Sequence, residues 1–588
     1  MRLLHTRTRL LEEFLDDGSI PPYAILSHTW GKEEISFKEM ADLTNVDIHK
    51  EGYRKIDMAC QVAAANGYEH IWIDTCCIDK SSSAELTEAI NSMYNWYMRA
   101  EVCYVYFYDL MMAPTLDGEG DDPALKTRED LAKCKWFFRG WTLQELIAPR
   151  NIIFFDKDWE TVGCKQSLVH ELSTITNISE TILQHKQDLS SVSVAQKMSW
   201  AAHRHTTRVE DTAYCLLGIF GVHLHFIYGE KDRAFRRLQE AILTSGSDLS
   251  IFAWRRPRST HNNQSREYCG VLASEPSWFS ESGSLAKKRR YDRAELFPCN
   301  GAIKVKMQFL VEMTHHNGSY RYLLPLDCAH EENPTATLCV RLRKHGPNEF
   351  IRENPDVIEE FPVDTKLRKP IIPSNRYLLL DLPVQDPSND LIGQSRTHAI
   401  QFKLPQGMSI QMLDISPGHR FDGEDVIFYL NEESDHDSCM ARMQVGTPRP
   451  LVDPSTQADF EFMFCALGWS SIPPRPEDTG ALQCAVLDYR KYAKAFSEFR
   501  FDARGWDFHR ASFLDRLVFH EMPRRSCLVM EVDKANAGPS EWVRVRFETS
   551  RVKDENVCRN EYWVVEFFLD RSSDRETFKE VTDKDWVM

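Results

Sequence analysis

Three short apolar segments of the sequence are each followed at once by side chains that could bind a ligand. Ser27 and Trp30 follow the first segment, Asp74 follows the second, and Asp109 follows the third. When such segments are parallel strands, their carboxyl ends meet at one edge of the sheet, and ligands bind outside that edge. Ser27, Trp30 and Asp74 are therefore candidate binding residues. The alternative is that they only cap turns and the helices that follow.

Glu145 is the only acidic residue in a helical pattern that covers residues 140–148 and ends before Pro149. Trp141 precedes it by four residues and so shares its face of the predicted helix. An indole beside a carboxylate excludes water, which raises the pKa of the carboxylate and makes it useful for acid–base or electrostatic catalysis. Glu145 is thus the candidate catalytic residue, and Trp141 is a candidate binding residue beside it. The alternative is a surface glutamate paired with an arginine.

Cysteine and histidine spacings do not indicate a metal site. Cys76 and Cys77 are adjacent, and no second pair at zinc-finger spacing follows, so we expect them to pack in the core or in a loop. His203 and His205 have a spacing that suits a strand, but they lie in a segment of helical pattern. The sequence also lacks the phosphate-binding and dinucleotide-binding glycine motifs. We therefore expect neither a metal nor a resident cofactor.

Apolar strand patterns alternate with helical patterns over the first 160 residues. This alternation predicts a parallel sheet with helices on both faces. A capping-box spacing from Ser82 to Glu85 marks the start of one helix. The predicted strands are residues 23–27, 70–74, 102–108 and 151–155, and the predicted helices are residues 52–66, 86–97 and 140–148. An acidic loop is expected at residues 113–122.

After residue 160, the spacing of apolar residues in the sequence changes. Residues 161–250 have helical spacing, which is clearest at 209–219 and 233–243. After residue 300, apolar and polar residues alternate, which predicts β-sandwich-like modules. A loop-like stretch at residues 431–457 could divide that region. We therefore predict an α/β domain at 1–160, a helical extension at 161–250, a linker at 251–299, and β-rich modules at 300–435 and 436–588.

The composition is that of a globular protein. Hydrophobic residues make up 42% and charged residues 27% of the 588 positions, and the formal net charge is −17. An acidic chain disfavours sequence-independent binding to nucleic acid. No apolar run is long enough to span a membrane, and the 16 cysteines are too few for a disulfide scaffold in a chain of this length. We therefore expect a cytoplasmic protein that does not bind nucleic acid.

Four blocks of the sequence, in order, resemble the heterokaryon-incompatibility (HET) domain of filamentous fungi. Together they cover about residues 1–245. The blocks are Tyr23-Ala-Ile-Leu-Ser-His-Thr-Trp-Gly31, then Ile71-Trp-Ile-Asp-Thr-Cys-Cys-Ile-Asp79, then Arg139-Gly-Trp-Thr-Leu-Gln-Glu-Leu-Ile-Ala-Pro149, and finally residues 206–220 with 228–230 and 234–240. This resemblance implies a role in non-self recognition and regulated cell death, a form of fungal innate immunity.

HET domains are also distantly similar to Toll/interleukin-1 receptor (TIR) domains, which have a flavodoxin-like parallel sheet. Many TIR domains hydrolyse NAD⁺ with one glutamate in a Trp-Cys-x-x-Glu-Leu pattern. Residues 141–146 match that pattern at Trp141, Glu145 and Leu146, while Thr142 replaces the cysteine. The resemblance therefore implies that Glu145 is catalytic and that NAD⁺ is a substrate. The strand-end positions suggest that Ser27 and Trp30 line the nucleotide site and that Asp74 holds ribose hydroxyls.

Two interpretations remain open at this stage. In the first, the chain is a death effector that releases nicotinamide from NAD⁺. In the second, it is a non-enzymatic module that signals by self-assembly or by binding a protein partner, with the β-rich region as sensor or autoinhibitor.

Overall fold

The computed structural model describes most of the first 300 residues and, beyond them, a series of strands. The described ranges are 1–111, 129–257, 268–288, 295–299, 301–306, 310–313, 320–346, 349–361, 376–381, 399–403, 409–416, 421–422, 427–429, 436–446, 460–469, 483–488, 527–532, 541–552 and 562–572. The acidic loop predicted at residues 113–122 lies outside them. The chain forms two compact units. Unit 1 is Met1–Gly301, Leu323–Arg341 and Glu353–Lys366, and unit 2 is Ala302–Tyr322, Leu342–Arg352 and Leu367–Met588.

Unit 1 contains a seven-stranded sheet with the strand order β2-β1-β4-β3-β5-β6-β7. The strands are β1 Arg2–His5, β2 Leu11–Glu13, β3 Tyr23–His28, β4 His70–Trp72, β5 Val102–Tyr106, β6 Ile152–Phe155 and β7 Thr161–Cys164. The four central strands, β4, β3, β5 and β6, are parallel to one another. Numbered in chain order, these four lie side by side as 2-1-3-4. All four were predicted, and each is almost wholly buried because helices cover both faces.

The sheet is mixed, and in this respect the prediction of a wholly parallel sheet was wrong. Strands β1 and β2 form an antiparallel pair that joins one edge, and β7 pairs antiparallel with β6 at the other. The Asp156 carboxylate accepts hydrogen bonds from the backbone N–H groups of Asp158 and Glu160, and this turn reverses the chain into β7. These edge strands have three or four residues each, too few to give a period in the sequence.

Helices α1 to α4 lie between the strands. They are α1 Phe37–Ala41, α2 Glu51–Ala65, α3 Ser83–Arg99 and α4 Thr142–Ile147. As predicted, Ser82 caps α3, because its hydroxyl accepts a hydrogen bond from the backbone N–H of Glu85. The predicted face of α3 is buried through Ile90, Met93 and Tyr97. Every residue of α4 is buried, so this short helix is held by packing rather than by its own propensity.

The helical extension follows β7. Its helices are α5 Val169–Thr176, α6 Glu180–Leu183, α7 Val194–Ser199, α8 Asp211–Tyr214, α9 Leu217–Phe220 and α10 Arg233–Ser245, and short 3₁₀ turns lie at Asp17–Ser19, Lys135–Phe138, Leu189–Ser191, Leu249–Phe252 and Pro276–Phe279. The helix predicted at 233–243 is confirmed. The single helix predicted at 209–219 is wrong, since two one-turn helices replace it. The backbone N–H of Leu216 donates a hydrogen bond to the carbonyl of Ala213, three residues earlier. This 3₁₀-type turn is tighter than an α-helical turn, and α8 ends at it.

Further strands complete unit 1. Leu285–Lys287 pairs antiparallel with Cys328–His330, and residues Thr337 to Cys339 pair with Glu359–Phe361. Tyr268–Cys269 and Glu295–Cys299 are two more strands of this unit. Across the described residues, no helix has both the length and the hydropathy needed to cross a lipid bilayer.

Apart from a bend at residues 380–381, the described residues of unit 2 lie in strands. They are Ala302–Lys306, Leu310–Met313, Tyr320–Pro325, Thr337–Gly346 (which begins in unit 1), Glu349–Glu353, Arg376–Leu379, Ala399–Lys403, Ser409–Ser416, Phe421–Asp422, Ile427–Tyr429, His436–Gly446, Phe460–Trp469, Gln483–Asp488, Cys527–Val532, Glu541–Val552 and Tyr562–Ser572. The period-two prediction is confirmed. The loop expected at residues 431–457 is wrong over His436–Gly446, which is a strand paired on both sides. A sandwich arrangement stays a prediction.

Candidate functional site

Three buried side chains are linked in series by hydrogen bonds at the carboxyl end of β3. The indole Nε1 of Trp136 donates a hydrogen bond to the Ser27 Oγ atom over 2.8 Å, and the Ser27 hydroxyl in turn donates to the Glu145 Oε2 atom. Ser27 is in β3, Trp136 is in the 3₁₀ turn before α4, and Glu145 is in α4. The fold therefore brings together residues from three separate elements.

Glu145 is a carboxylate in a nearly dry environment. Its side chain is buried, with 7% of the residue exposed. Burial raises the pKa of Glu145 to about 7, and the charge of Asp74 adds to the rise, while the Ser27 hydrogen bond and the charge of Arg139 act against it. At neutral pH the neutral and ionised forms are therefore both populated. A positively charged group brought next to Glu145 would favour the ionised form.

His28, the last residue of β3, faces two carboxylates without bonding to either. Its Nε2 atom lies 3.8 Å from the Glu34 Oε2 atom and 3.9 Å from the Asp74 Oδ1 atom. Both distances are too long for a hydrogen bond. Burial holds the pKa of His28 well below its usual range, and the charges of Lys55 and Arg139 lower it further. The imidazole is therefore neutral at physiological pH.

Unpaired buried polar atoms are concentrated around His28. Both ring nitrogens of His28, the Glu34 Oε2 atom, the Asp74 Oδ1 atom and the Thr75 Oγ1 atom are buried and have no hydrogen-bond partner. Each such atom destabilises a folded protein by roughly 1–3 kcal/mol, and most buried polar atoms are paired. Here several lie at the ends of two neighbouring parallel strands. This arrangement is typical of a binding site whose ligand supplies the missing partners.

Trp30 presents an exposed aromatic surface beside these atoms. The residue is 45% exposed, and its Nε1 donates a 2.8 Å hydrogen bond to the Asp74 Oδ2 atom. The Lys80 Nζ atom is 3.6 Å from the centre of a ring of Trp30, and the Arg139 guanidinium carbon is 5.0 Å from it. Both are cation–π contacts. The indole is thus fixed in orientation, and two cations lie next to it.

An open cleft adjoins this group of residues. It has a volume of about 280 Å³, close to the lower end of the range for small-molecule sites. Its wall contains Trp30, Glu34 and Thr75, which also belong to the group around His28, together with Phe37 and Lys80. Glu145 is not among the described residues that line it. The cleft therefore opens onto the strand ends.

The structure brings four of the five predicted site residues into two contacting pairs. Ser27 bonds to Glu145, and Trp30 bonds to Asp74. Trp141 lies just before the first residue of α4, and its side chain acts on the carboxylate of Asp211 in the helical extension, where it lowers the pKa against the rise caused by burial.

Sequence reasoning missed several residues of the site, among them Trp136, His28 and Glu34. His28 could have been found because it follows Ser27 at the predicted strand end. Trp136 and Glu34 lie in segments without a periodic pattern, so no sequence signal places them there.

The helical extension holds the turn that precedes α4. The Arg204 Nη1 atom donates to the Arg139 carbonyl over 3.0 Å and to the Thr142 Oγ1 atom over 2.9 Å. The N–H of Gly140 donates to the carbonyl of His205 over 2.8 Å. A Cβ atom on Gly140 would lie 2.5 Å from the Thr206 Cγ2 atom, so glycine is required for this close approach.

Metal-ligating residues are not grouped in the part of the chain that the structure describes, where no set of three or more His, Cys, Asp or Glu side chains is arranged to hold a metal ion. Cys76 and Cys77 are buried free thiols, as predicted. A hydrogen bond with Cys77 and burial together raise the pKa of the Cys76 thiol well above its usual range, which makes Cys76 a poor nucleophile.

Comparison with known proteins defines the class to which this domain belongs. Residues 23–111 match the family described as heterokaryon incompatibility protein (HET), so the chain contains a HET domain and the resemblance of the sequence blocks is confirmed. Residues 233–291 match a domain of unknown function, DUF8212. Vegetative incompatibility protein HET-E-1 of Podospora anserina is 42% identical over 290 residues, which are 49% of this chain and 21% of that protein. The chain thus matches about a fifth of that relative's length. No solved structure matches the chain.

Proposed function

We propose that this protein acts in heterokaryon incompatibility as an effector of regulated cell death, and that its HET domain releases nicotinamide from NAD⁺. The HET domain and the similarity to a vegetative incompatibility protein support the first part. The observation that carries the second part is the position of Glu145, which is buried on α4 and accepts a hydrogen bond from Ser27, the residue before His28 with its unpaired ring nitrogens.

The strand order supports a flavodoxin-like and TIR-like fold. The parallel strands lie in the order 2-1-3-4, as in doubly wound sheets of the flavodoxin type. In such sheets the second strand lies on one side of the first strand, and the third strand lies on its other side. The crevice at that point is the usual ligand site. In this sheet the point lies between β3 and β5, and Ser27 and His28 end β3 there.

The chemistry needs only one carboxylate. The nicotinamide ring of NAD⁺ is cationic and leaves as a neutral base, so no general acid is required, in contrast to ordinary glycosides. The ribose carbon becomes positively charged as its bond to nicotinamide breaks, and an ionised Glu145 in a dry site would stabilise that charge. A water molecule then adds to this carbon and releases one proton to the solvent, so the products are nicotinamide, ADP-ribose and a proton. The Ser27 hydroxyl, hydrogen-bonded to the same carboxylate, would fix its orientation.

The remaining groups of the site suit the other parts of NAD⁺. The unpaired Asp74 Oδ1 and Glu34 Oε2 atoms would accept hydrogen bonds from ribose hydroxyls. Trp30 would stack against a ring, and Lys80 and Arg139 would face the phosphates. Because Glu145 is only 7% exposed, this binding mode includes a movement of side chains that opens the wall of the cleft towards it.

The test is incubation of the purified full-length protein with NAD⁺, with chromatography to detect free nicotinamide. We expect nicotinamide release by the unaltered protein and a loss of at least about 100-fold in Glu145→Gln, which keeps the size of the side chain but removes its charge. Glu180→Gln, at an exposed position on α6, is the matched control and should keep full activity. No nicotinamide release, or equal release by Glu145→Gln, would contradict the enzymatic proposal.

One observation favours the non-enzymatic alternative. Glu145 already has a hydrogen-bond partner in Ser27 and does not line the cleft, as expected for a structural carboxylate. In that case the HET domain would signal by assembly or partner binding, with the β-rich region as sensor or autoinhibitor. Expression of Glu145→Gln in fungal cells separates the two. Cell killing retained at the unaltered level favours the assembly module, whereas loss of killing by a folded variant favours the enzyme.

A further inference from the structure

A second, larger cavity lies in unit 1, away from the strand ends. We call it the basic cavity. It has a volume of about 620 Å³, and its wall is formed by parts of α3, the end of α4 and the helical extension. None of its described lining residues belongs to the cleft beside Trp30. The side chains used below are Tyr94, Arg150, Lys186, Asp188, Lys197 and Phe220.

Lys197 is a buried cation that forms no ion pair with a described carboxylate, although the more distant charges of Asp248 and Asp188 act on it. Only 8% of the residue is exposed. Its Nζ atom has one hydrogen bond, to the carbonyl of Ile219 at 3.4 Å, and it lies 5.5 Å from the centre of the Phe220 ring. No carboxylate of the described residues forms an ion pair with it. An ammonium has three donors, so two remain without a partner in this part of the chain. A buried charge of this kind is unfavourable unless an anion joins it.

The other charges around the basic cavity are also mostly positive. Arg150 and Lys186 line it together with Lys197, and Asp188 is the acidic residue among its described lining residues. The Asp188 carboxylate accepts a 2.7 Å hydrogen bond from the backbone N–H of Ser190, which holds it in the loop. The wall thus has about two positive charges in excess, in a chain whose net charge is −17. A phosphate monoester, with a charge of about −1.5 to −2 at neutral pH, matches that excess better than a carboxylate.

Aromatic side chains form another part of the wall. Tyr94 projects from α3 and Phe220 ends α9. The two helices pack so closely that a Cβ atom on Gly218 would lie 2.1 Å from the Tyr94 Cβ atom. This close contact between the Gly218 backbone and the Tyr94 side chain holds α9 against α3. Flat aromatic surfaces favour a ligand with a planar ring.

We propose that the basic cavity binds a small organic phosphate that carries a planar ring, with the phosphate at Lys197 and the ring against Tyr94 and Phe220. The volume is ample, since small-molecule sites have about 300–1,000 Å³. Ile147 and Ala148, at the end of α4, belong to the wall. The ligand would therefore contact the helix that carries Glu145, but this inference does not depend on NAD⁺ hydrolysis.

The probe for the test is phenyl phosphate, titrated calorimetrically into the full-length protein. We expect saturable binding with one site, and binding at least about threefold weaker for methyl phosphate, which lacks the ring, and for benzoate, which has one negative charge. Lys197→Met should weaken phenyl phosphate binding at least tenfold, and Lys186→Met about threefold. Lys133→Met, at an exposed lysine on the surface, is the matched control and should bind as the unaltered protein does.

Three results would overturn the proposal. They are the absence of phenyl phosphate binding, equal binding by Lys197→Met and the unaltered protein, and equal affinity for phenyl phosphate, methyl phosphate and benzoate. If Lys197→Met does not fold, Lys186→Met decides, because that side chain is exposed and its loss leaves the core intact. Retained binding in Glu145→Gln shows that the basic cavity is separate from the NAD⁺ site.

Discussion

The hydroxyl of Ser27 donates a hydrogen bond to the carboxylate of Glu145, although the two residues are 118 positions apart in the sequence. The same hydroxyl accepts the indole N–H of Trp136, so its donor and acceptor capacities are both used. Because this hydrogen bond lowers the pKa of Glu145, a change at Ser27 on β3 should alter the protonation of that carboxylate.

Nicotinamide release should depend on pH through Glu145. Because burial raises the pKa of Glu145 to about 7, the ionised fraction increases roughly tenfold between pH 6 and pH 8. We expect kcat/KM to rise by about that factor over the same range and then to level off. Initial rates measured at constant ionic strength test this. A rate that is flat or falls over this range would contradict a role for the ionised carboxylate.

The contribution of Glu145 to the free energy of unfolding should fall as the pH rises, in contrast to the rate of nicotinamide release. The pKa of Glu145 is higher in the folded protein than the ordinary 4.5, so the folded state binds the proton more tightly. The resulting stabilisation is complete below pH 4.5 and is lost as the pH rises to about 7. Glu145→Gln, which stays neutral, should therefore be more stable than the unaltered protein at pH 8, by roughly 3 kcal/mol at most.

Urea unfolding of the two proteins at pH 5 and pH 8 tests that expectation. The difference between Glu145→Gln and the unaltered protein should be small at pH 5 and in favour of the variant at pH 8. An equal difference at both pH values would show that Glu145 does not titrate in this range.

Replacement of Ser27 should affect both stability and titration. Ser27→Ala leaves the Trp136 Nε1 atom without an acceptor in a buried position, which should cost about 1–3 kcal/mol. It also removes a hydrogen bond that lowers the pKa of Glu145, so the midpoint of the pH–rate profile should move to higher pH. Ser27→Ala combined with Trp136→Phe removes both partners and should be less destabilising than the sum of the two single changes. Strict additivity would count against the hydrogen bond.

Gly140 offers a test of the contact between the helical extension and the turn before α4. Gly140→Ala should destabilise the protein by about 1–3 kcal/mol, because the new methyl group meets the Thr206 Cγ2 atom. Thr206→Ser removes that methyl group and keeps the hydroxyl that bonds to the Arg208 carbonyl. The double variant should recover much of the loss in thermal unfolding. If Thr206→Ser gives no recovery, the close approach is not the cause.

Periodicity in the sequence was enough to locate the central elements. The apolar run of β3, the buried face of α3 and the alternating strands beyond residue 300 all have patterns set by burial. The rule that parallel strands end at one edge also placed Ser27 and Asp74 on the same side of the sheet. These predictions depend only on local sequence and on general sheet geometry.

Long-range contacts explain what the sequence did not predict. The helix expected at 209–219 is interrupted at the turn from Ala213 to Leu216, and Gly218, just beyond that turn, packs against the Tyr94 side chain of a distant helix. Trp136 reaches Ser27 from a turn whose shape depends on Arg204 and His205. The Trp141 side chain acts on the carboxylate of Asp211, which is 70 positions further along the chain. In each case the partner lies far away along the chain, and no spacing pattern encodes such a pairing.

The hydrogen bonds from Arg204 to Arg139 and Thr142 determine which truncated forms of the protein are suitable for experiments. The matched HET region ends at residue 111, before Glu145, and a fragment that stops after the last parallel strand would keep Glu145 but lose Arg204. Such a fragment would retain the carboxylate while releasing the turn that orients it. A negative activity assay on a truncated form would therefore say nothing about the intact molecule, and a minimal unit for biochemistry has to extend past residue 206.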